Sequence, residues 1–216
     1  MAHRTALTRS WPHYTTAISR VELQRLVDGL ASGIAAADSR SPVAVGQRSG
    51  RVFQPGIGPH SESETITLAL KESCTGLEEV RLDRDVPYPA VPRSRCDLII
   101  DGTTGWAVEI KLLRLLGDNG LKNDNMLMHI LSPYPADHSA LTDCSKLLRS
   151  GFDGRKAIVI IGYDYDAFPL SPTVRAFELL ASIEVRLRAA EPVPFDGLIH
   201  PVHRQGAVFG WEINPL

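Results

Sequence analysis

Apolar residues recur at helical spacing in the amino-terminal part of the chain. One amphipathic helix is predicted from about Tyr14 to Ala37. Its apolar stripe consists of Leu23, Leu26, Val27, Leu30 and Ile34. Residues 38–60 are rich in glycine and proline and are predicted to be a linker or surface arm. A second helix is predicted to begin near Ser61, because Ser61 and Glu64 form a capping-box pattern.

After Gly76 the pattern changes to short apolar or β-branched runs interrupted by proline and glycine, which predicts strands. The predicted strands are 80–88, 95–101, 106–113, 156–165 and 206–213. Helices are predicted at 141–149 and from Pro172 to about Ala190, with a partly helical insertion at 114–140. This order predicts an α/β protein: a mixed central sheet flanked by helices in residues 61–216, preceded by an extra N-terminal helix and arm in residues 1–60.

Composition narrows the class of protein. The 216 residues are 44% hydrophobic and 22% charged, as expected for a folded globular chain. No apolar run approaches the roughly 20 residues of a membrane span, and the amino terminus lacks the apolar core of a secretion signal. The three cysteines are widely spaced, which argues against a disulfide scaffold and favours a cytoplasmic setting. The net charge of -2 means that any nucleic acid would bind in a local groove or through a metal.

The chemistry is concentrated in the hairpin formed by strands 95–101 and 106–113. A glycine-rich turn, Asp101 to Gly105, joins the two strands. If the turn is symmetric about Thr103, Asp97 lies directly opposite Glu109, and the two side chains share one face of the sheet. Lys111 follows Glu109 by two positions and emerges on the same face.

Two carboxylates facing each other among apolar neighbours repel, so positive charge must accompany them. Lys111 supplies one charge, and a divalent cation would supply two. Hard carboxylate oxygens suit Mg²⁺ or Mn²⁺ better than zinc. Such a cation activates a bound water, and a neighbouring lysine stabilises developing negative charge. The pattern therefore indicates metal-assisted hydrolysis of a phosphodiester; the alternative is that all three side chains simply face solvent.

Asp97, eleven intervening residues and Glu109-Ile110-Lys111 resemble the motif of the PD-(D/E)XK nuclease superfamily. The matching order of elements covers residues from about 60 to 213 and implies a restriction-endonuclease-like fold. The resemblance implies that Asp97, Glu109 and the carbonyl of Ile110 bind the metal and that Lys111 serves the attacking water. Cys96 stands where the family's proline would be, and no glutamine motif of the RecB-like and Cas4-like branch follows Lys111.

The family often adds an acidic residue from the preceding helix. Glu62 falls on the helical stripe of Ile66 and Ala69 and is the candidate metal ligand, with Glu64 as the alternative. The same residues have structural explanations. A carboxylate at Glu62 is favourable near a helix N-terminus, and Glu64 is accounted for by the capping box.

Other polar groups are assigned ordinary roles. His200 and His203 are interpreted as a pair of loop histidines, because no metal-ligand spacing accompanies them. Asp143 and Lys146 are explained by an ion pair within one helical turn, and Gly162 to Asp166 by an acidic loop at a strand end. Three basic residues are interpreted as surface charges unless they contact phosphates: Arg114, Lys122 and Arg149.

The sequence thus predicts a cytoplasmic, Mg²⁺- or Mn²⁺-dependent endonuclease that acts on DNA, with prokaryotic defence or repair as the expected setting. The alternative is a non-catalytic nucleic-acid-binding or assembly module on the same fold. An RNA substrate and a two-fold homodimer both remain open. The predicted catalytic residues are Asp97, Glu109 and Lys111.

Overall fold

The structure, a computed structural model, describes residues 15–46, 50–73, 77, 80–102, 105–123 and 125–216, with side chains from residue 23 onward. Thr103, the predicted centre of the hairpin turn, lies outside the described residues, as does Cys74. The other two cysteines, Cys96 and Cys144, are buried free thiols.

The described elements follow the predicted order closely. The helices are α1 (Thr15–Asp38), α2 (Glu62–Glu72), α3 (Met128–Leu131), α4 (Ala140–Leu148) and α5 (Ser171–Ala181), with a 3-10 turn at Pro135–Asp137. The strands are β1 (Leu82–Pro87), β2 (Arg95–Ile100), β3 (Trp106–Leu113), β4 (Arg155–Tyr163), β5 (Val185–Ala189), β6 (Val193–Phe195) and β7 (Gly206–Pro215). None of the helices in the described part combines the length and hydrophobicity that crossing a bilayer requires.

All the strands belong to one mixed sheet in the order β1-β2-β3-β4-β7-β5, and β6 pairs with β7. β1, β2 and β3 form an antiparallel meander, and β4 then lies parallel to β3 after a crossover that contains α3 and α4. The remaining pairs are antiparallel. The α/β class with a mixed, helix-flanked sheet is therefore confirmed.

The two faces of β3 pack into different cores. Val108 and Ile110 point into the core that contains α1 and α2. Ala107 and Leu113 point into the core that contains α4 and α5. Because side chains alternate along a strand, Glu109 and Lys111 belong to the second face, beneath α4. The fold therefore places the predicted chemistry between the sheet and α4.

The first sixty residues are less separate from the sheet than the predicted surface arm implied. Leu26 and Leu30 of α1 are fully buried in the same core as the strands. Ile57 is also fully buried, and its N–H donates to the Asp38 carboxylate over 2.9 Å. The surface-arm prediction was wrong for residues 56–60, because an aspartate at the end of α1 binds this stretch of backbone to the core.

The predicted long helix from Pro172 to Ala190 is also corrected. The helix ends at Ala181, and residues 185–189 form β5, which pairs with β7 at the sheet edge. The sequence Val-Arg-Leu-Arg-Ala alternates with the period of a strand, and this local pattern prevails. β6 was missed because Pro194 disfavours a strand, although an edge position tolerates proline.

Candidate active site

The predicted register of the β2–β3 hairpin is confirmed. Leu98 pairs with Val108, and Ile100 pairs with Trp106. This ladder ends at Leu98 and stops short of the predicted pair Asp97 and Glu109, although their carboxyl groups interact. Asp97 Oδ2 accepts a 2.8 Å hydrogen bond from the Ile110 N–H, which fixes the carboxylate beside β3. The carbonyl of Ile110 faces the same side, because the N–H and C=O of a strand residue point together.

Beyond this point β3 has an open edge, and carboxylates occupy the place of a strand partner. Ile110 donates its N–H to Asp97, and Leu112 donates its N–H to Glu62 Oε2 over 2.7 Å. Glu62 lies in the first turn of α2, where Ser61 and Glu64 form the predicted capping box. The structure therefore brings Glu62, and not Glu64, to the hairpin.

Glu109 is the most buried of the predicted charged site residues, with 2% of its surface exposed. Its carboxylate accepts a hydrogen bond from the Tyr88 hydroxyl. The same carboxylate forms an ion pair with Lys146, whose Nζ lies 2.8 Å from Glu109 Oε1. Burial raises the pKa of Glu109. The negative charges of Asp143 and Asp97 raise this pKa further, and the positive charge of Lys146 partly offsets the rise. The alternative in which these charges simply face solvent is therefore wrong.

Lys111 is held in the site as an ammonium ion. Its Nζ lies 2.8 Å from Asp143 Oδ2, and 11% of its side chain is exposed. Burial by itself would lower the pKa of Lys111, but Asp143, Glu62 and Glu109 together raise the pKa above its ordinary value. Lys111 is therefore suited to stabilise negative charge and to orient a water, and unsuited to accept a proton.

Asp143 and Lys146 of α4 belong to the site, in contrast to the assignment of a simple helical ion pair. Their own contact is present, at 2.6 Å, but Asp143 also binds Lys111 and Lys146 also binds Glu109. A signal in the sequence was available. Asp143 falls on the buried stripe of α4 with Ala140 and Leu147, where a charged residue needs a partner.

The site carries excess negative charge when its groups are ionised. Four carboxylates interact within it, those of Glu62, Asp97, Glu109 and Asp143, against the two ammonium groups of Lys111 and Lys146. The Arg84 guanidinium also interacts with Asp97, so the net charge of these groups is about one negative charge. Burial raises the pKa of Glu62, and the charges of Asp97 and Asp143 raise it further.

A cavity of about 620 Å³ opens beside Lys111. Glu62 and Arg114 line it together with His129 and His138 from the 114–140 insertion. A second cavity of about 520 Å³ lies along α4 and is lined by Asp143, Lys146 and Arg149 among mainly apolar residues. Arg114 and Arg149 thus line separate cavities, and Arg114 also donates to the Gly58 carbonyl. Lys122 lines neither of these cavities and instead lies over the Phe168 ring.

The replacement of Glu62 by glutamine is expected to weaken Mg²⁺ binding about tenfold, because one negative charge beside the cation is lost. The Leu112 N–H bond survives, since glutamine keeps an acceptor oxygen. The matched control, Glu64→Gln, should leave Mg²⁺ affinity unchanged and lower stability by at most about 1 kcal/mol through the weakened cap. Calorimetric titration and urea unfolding measure the two effects, and the reverse pattern would move the ligand role to Glu64.

A separate polar cluster lies where the insertion meets the loop before β7. Asp118, His200 and His203 bring possible ligand atoms within 4.8 Å of one another, which among the described residues no other set of three does. Both histidines are fully buried, and their rings stack at 4.6 Å. Both histidines lie in a loop, as predicted, but their contact with Asp118 was not predicted. Asp118 could not be paired with them because it lies far away in the sequence.

The hydrogen bonds of this cluster limit what it can bind. His203 contacts Asp118 through Nε2 at 3.0 Å and the Tyr165 hydroxyl through Nδ1 at 2.7 Å. His200 Nδ1 accepts two backbone N–H bonds at 3.1 Å, from Val202 and His203, which leaves the ring proton on Nε2. A protonated nitrogen cannot ligate a metal, so metal binding by His200 would require these two bonds to break. The cluster is accordingly a clasp that joins two loops.

His200, a member of this clasp, is expected to make the fold sensitive to acid. Burial lowers the pKa of His200 to about 4 from 6.5, so the unfolded chain binds a proton in that interval that the native chain does not. Stability should therefore fall as the pH drops from 6.5 towards 4. His200→Asn keeps an acceptor for the two N–H groups and does not titrate. Urea unfolding at several pH values should show a smaller acid loss in the variant; an equal loss would assign the effect elsewhere.

Seven side chains thus meet at the open edge of β3. The hairpin pattern predicted Asp97, Glu109 and Lys111, the helical stripe predicted Glu62, and the structure adds three further members: Tyr88, Asp143 and Lys146. In comparisons with known proteins, the chain matches no family model, no curated protein and no solved structure.

Proposed function

We propose that the protein is a divalent-metal-dependent nuclease that hydrolyses phosphodiester bonds of DNA. The observation that carries this proposal is the convergence of Glu62, Asp97, Glu109 and Lys111 on one open strand edge. The order of elements supports it, because a helix, an antiparallel meander, a helix and a parallel strand follow one another as in the PD-(D/E)XK resemblance. A restriction-endonuclease-like fold is part of the proposal.

The chemistry of the available donors fits Mg²⁺ or Mn²⁺. Asp97, Glu109 and Glu62 offer carboxylate oxygens, and the Ile110 carbonyl faces the same side, a hard-oxygen set without a thiol or imidazole. When bound, the cation would lower the pKa of a water and polarise a phosphoryl oxygen. The cation would also offset the surplus of negative charge in the cluster.

The residues of the chain have separate tasks in this scheme. Asp97 and Glu62 are held in place by backbone N–H donors, so they would not need to reorganise during the reaction. The Lys111 ammonium would orient the attacking water and stabilise charge that develops on the phosphoryl oxygens. Arg114, at the rim of the 620 Å³ cavity, would hold an adjacent phosphate.

The test is incubation of the protein with supercoiled plasmid, linear duplex, single-stranded DNA and RNA. Each substrate is tested with Mg²⁺, with Mn²⁺ and with EDTA. Cleavage of DNA that requires the cation supports the proposal, and preferential cleavage of RNA would reassign the substrate. If the protein cleaves none of these substrates but binds DNA without a cation, the result would support a non-catalytic nucleic-acid-binding module instead.

That second candidate is a non-catalytic nucleic-acid-binding module. It is favoured by one observation: each carboxylate of the site already has a partner within the protein. A site completed by internal ion pairs can be purely structural. The two candidates differ in cation binding, which the nuclease requires and the module does not.

A further inference from the structure

We propose that Lys146 is an internal counter-ion, which neutralises Glu109 and Asp143 in the absence of metal and releases Glu109 when a divalent cation binds to Glu109 and Asp97. This inference rests on the proposed function, because it concerns the loading of the same site. It gives a residue of α4, outside the hairpin motif, a role in cation binding.

The position of the Lys146 ammonium carries the argument. Its Nζ lies 2.8 Å from Glu109 Oε1 and 2.6 Å from Asp143 Oδ1, so it bridges two buried carboxylates from different elements. The face of the Tyr88 ring lies 5.2 Å from the same nitrogen. Two carboxylates and the face of an aromatic ring attract a cation, and the Lys146 ammonium is the cation that the chain itself supplies there.

The arrangement of the ligand oxygens agrees with this role of Lys146. Among the described residues, Glu62, Asp97 and Glu109 do not bring three oxygens within 4.8 Å of one another. Glu109 is instead drawn towards α4 by Lys146 and towards β1 by Tyr88. The departure of Lys146 would free one Glu109 oxygen to turn towards Asp97.

Lys146 has room to move away from its two carboxylates, and its side chain is more exposed than that of Lys111. The Lys146 side chain is 20% exposed and borders the 520 Å³ cavity along α4. The Lys111 side chain is 11% exposed, and its partner Asp143 is almost fully buried. Because a lysine carries its charge on a flexible four-carbon stem, Lys146 can move into the cavity without movement of α4.

Once a divalent cation displaces it, the Lys146 ammonium can bind a phosphate of the substrate. Once released from Glu109, Lys146 stands in a cavity that Arg149 also lines, where a phosphate of the bound strand would attract both groups. Removal of the Lys146 charge should therefore have opposite effects on two measurements. Cation affinity should rise, and cleavage at saturating cation should fall.

The experiment compares Lys146→Met with the wild type by calorimetric titration with MgCl₂ and with MnCl₂ in the absence of nucleic acid. The variant is expected to bind the cation about tenfold more tightly, the equivalent of ~1.4 kcal/mol. Lys146→Gln serves as a second variant if methionine destabilises the fold. The matched control is Lys156→Met, since Lys156 binds the carbonyls of Phe152 and Gly154 at the start of β4 and none of the site carboxylates; its cation affinity should equal that of the wild type.

The outcomes separate this inference from the proposed function. Wild-type protein that binds the cation and cleaves DNA, with equal or weaker cation binding in both Lys146 variants, overturns the counter-ion role alone. No cation binding by the wild type or by any variant overturns both proposals. Tighter binding in the Lys146 variants supports the counter-ion role, because loss of a merely structural contact does not raise the affinity of a site.

Discussion

Lys111→Met is expected to slow DNA cleavage by about 10²–10³-fold, the usual effect of removing one group that stabilises developing charge. The ammonium acts more strongly on the transition state than on the bound substrate, so DNA affinity should change little. Methionine preserves most of the volume of the side chain beneath α4. The rate is measured as nicking of supercoiled plasmid in Mg²⁺, and affinity as fluorescence anisotropy of a labelled duplex in EDTA.

A surface lysine provides the control for this change. Lys71 is exposed in the last turn of α2, on the same helix as Glu62 but far from its first turn. The Lys71→Met variant should therefore cleave DNA at the wild-type rate. Equal losses of cleavage and binding in Lys111→Met would mean that Lys111 only holds the substrate. Full cleavage in that variant would place the chemistry elsewhere on the chain.

Asp97→Asn is expected to abolish the Mg²⁺-induced rise in melting temperature and to reduce cleavage below detection, a loss of at least about 10³-fold. Asparagine retains an oxygen that accepts the Ile110 N–H, so the end of the hairpin should stay intact. Only the charge that would bind the cation is removed. DNA affinity in EDTA should stay the same or increase, because a negative charge beside the phosphates is lost.

Asp83→Asn is the control for Asp97→Asn, since Asp83 lies on β1 and pairs with Arg81 near the surface. Melting curves with and without Mg²⁺ should be the same for this variant and the wild type. Cation stabilisation that persists in Asp97→Asn, together with cleavage, would contradict the assignment of Asp97 as a ligand. Loss of the fold in the variant without Mg²⁺ would show that Asp97 has a structural role only.

Local patterns in the sequence predicted the parts of the fold and the site that depend on near neighbours. The glycine-rich turn after Ile100 fixes the register of β2 and β3, so the pairing of Leu98 with Val108 followed from the sequence. The capping box at Ser61 fixed the start of α2, and the helical stripe then singled out Glu62. Each of these features is set by contacts within a single element or hairpin.

Features that depend on distant segments were not predicted. Asp143 and Lys146 satisfy each other within one turn of α4, and only the packing of α4 on β3 shows that they also reach Lys111 and Glu109. Asp118 meets His203 through loop geometry, which no periodicity encodes. The strand β5 was taken for helix because its alternating pattern is short and its pairing with β7 is a tertiary contact that the sequence does not show.

The open edge of β3 has a consequence for association between chains. Unpaired N–H groups along a strand edge are a template on which another chain can add a strand, and proteins commonly place charges there to prevent it. The carboxylates of Asp97 and Glu62 cover the N–H groups of Ile110 and Leu112 in this way. Loss of both side chains by truncation would therefore remove a barrier to edge-to-edge aggregation as well as two candidate ligands. Selection for a monodisperse protein would retain these acidic residues whether or not they bind a metal.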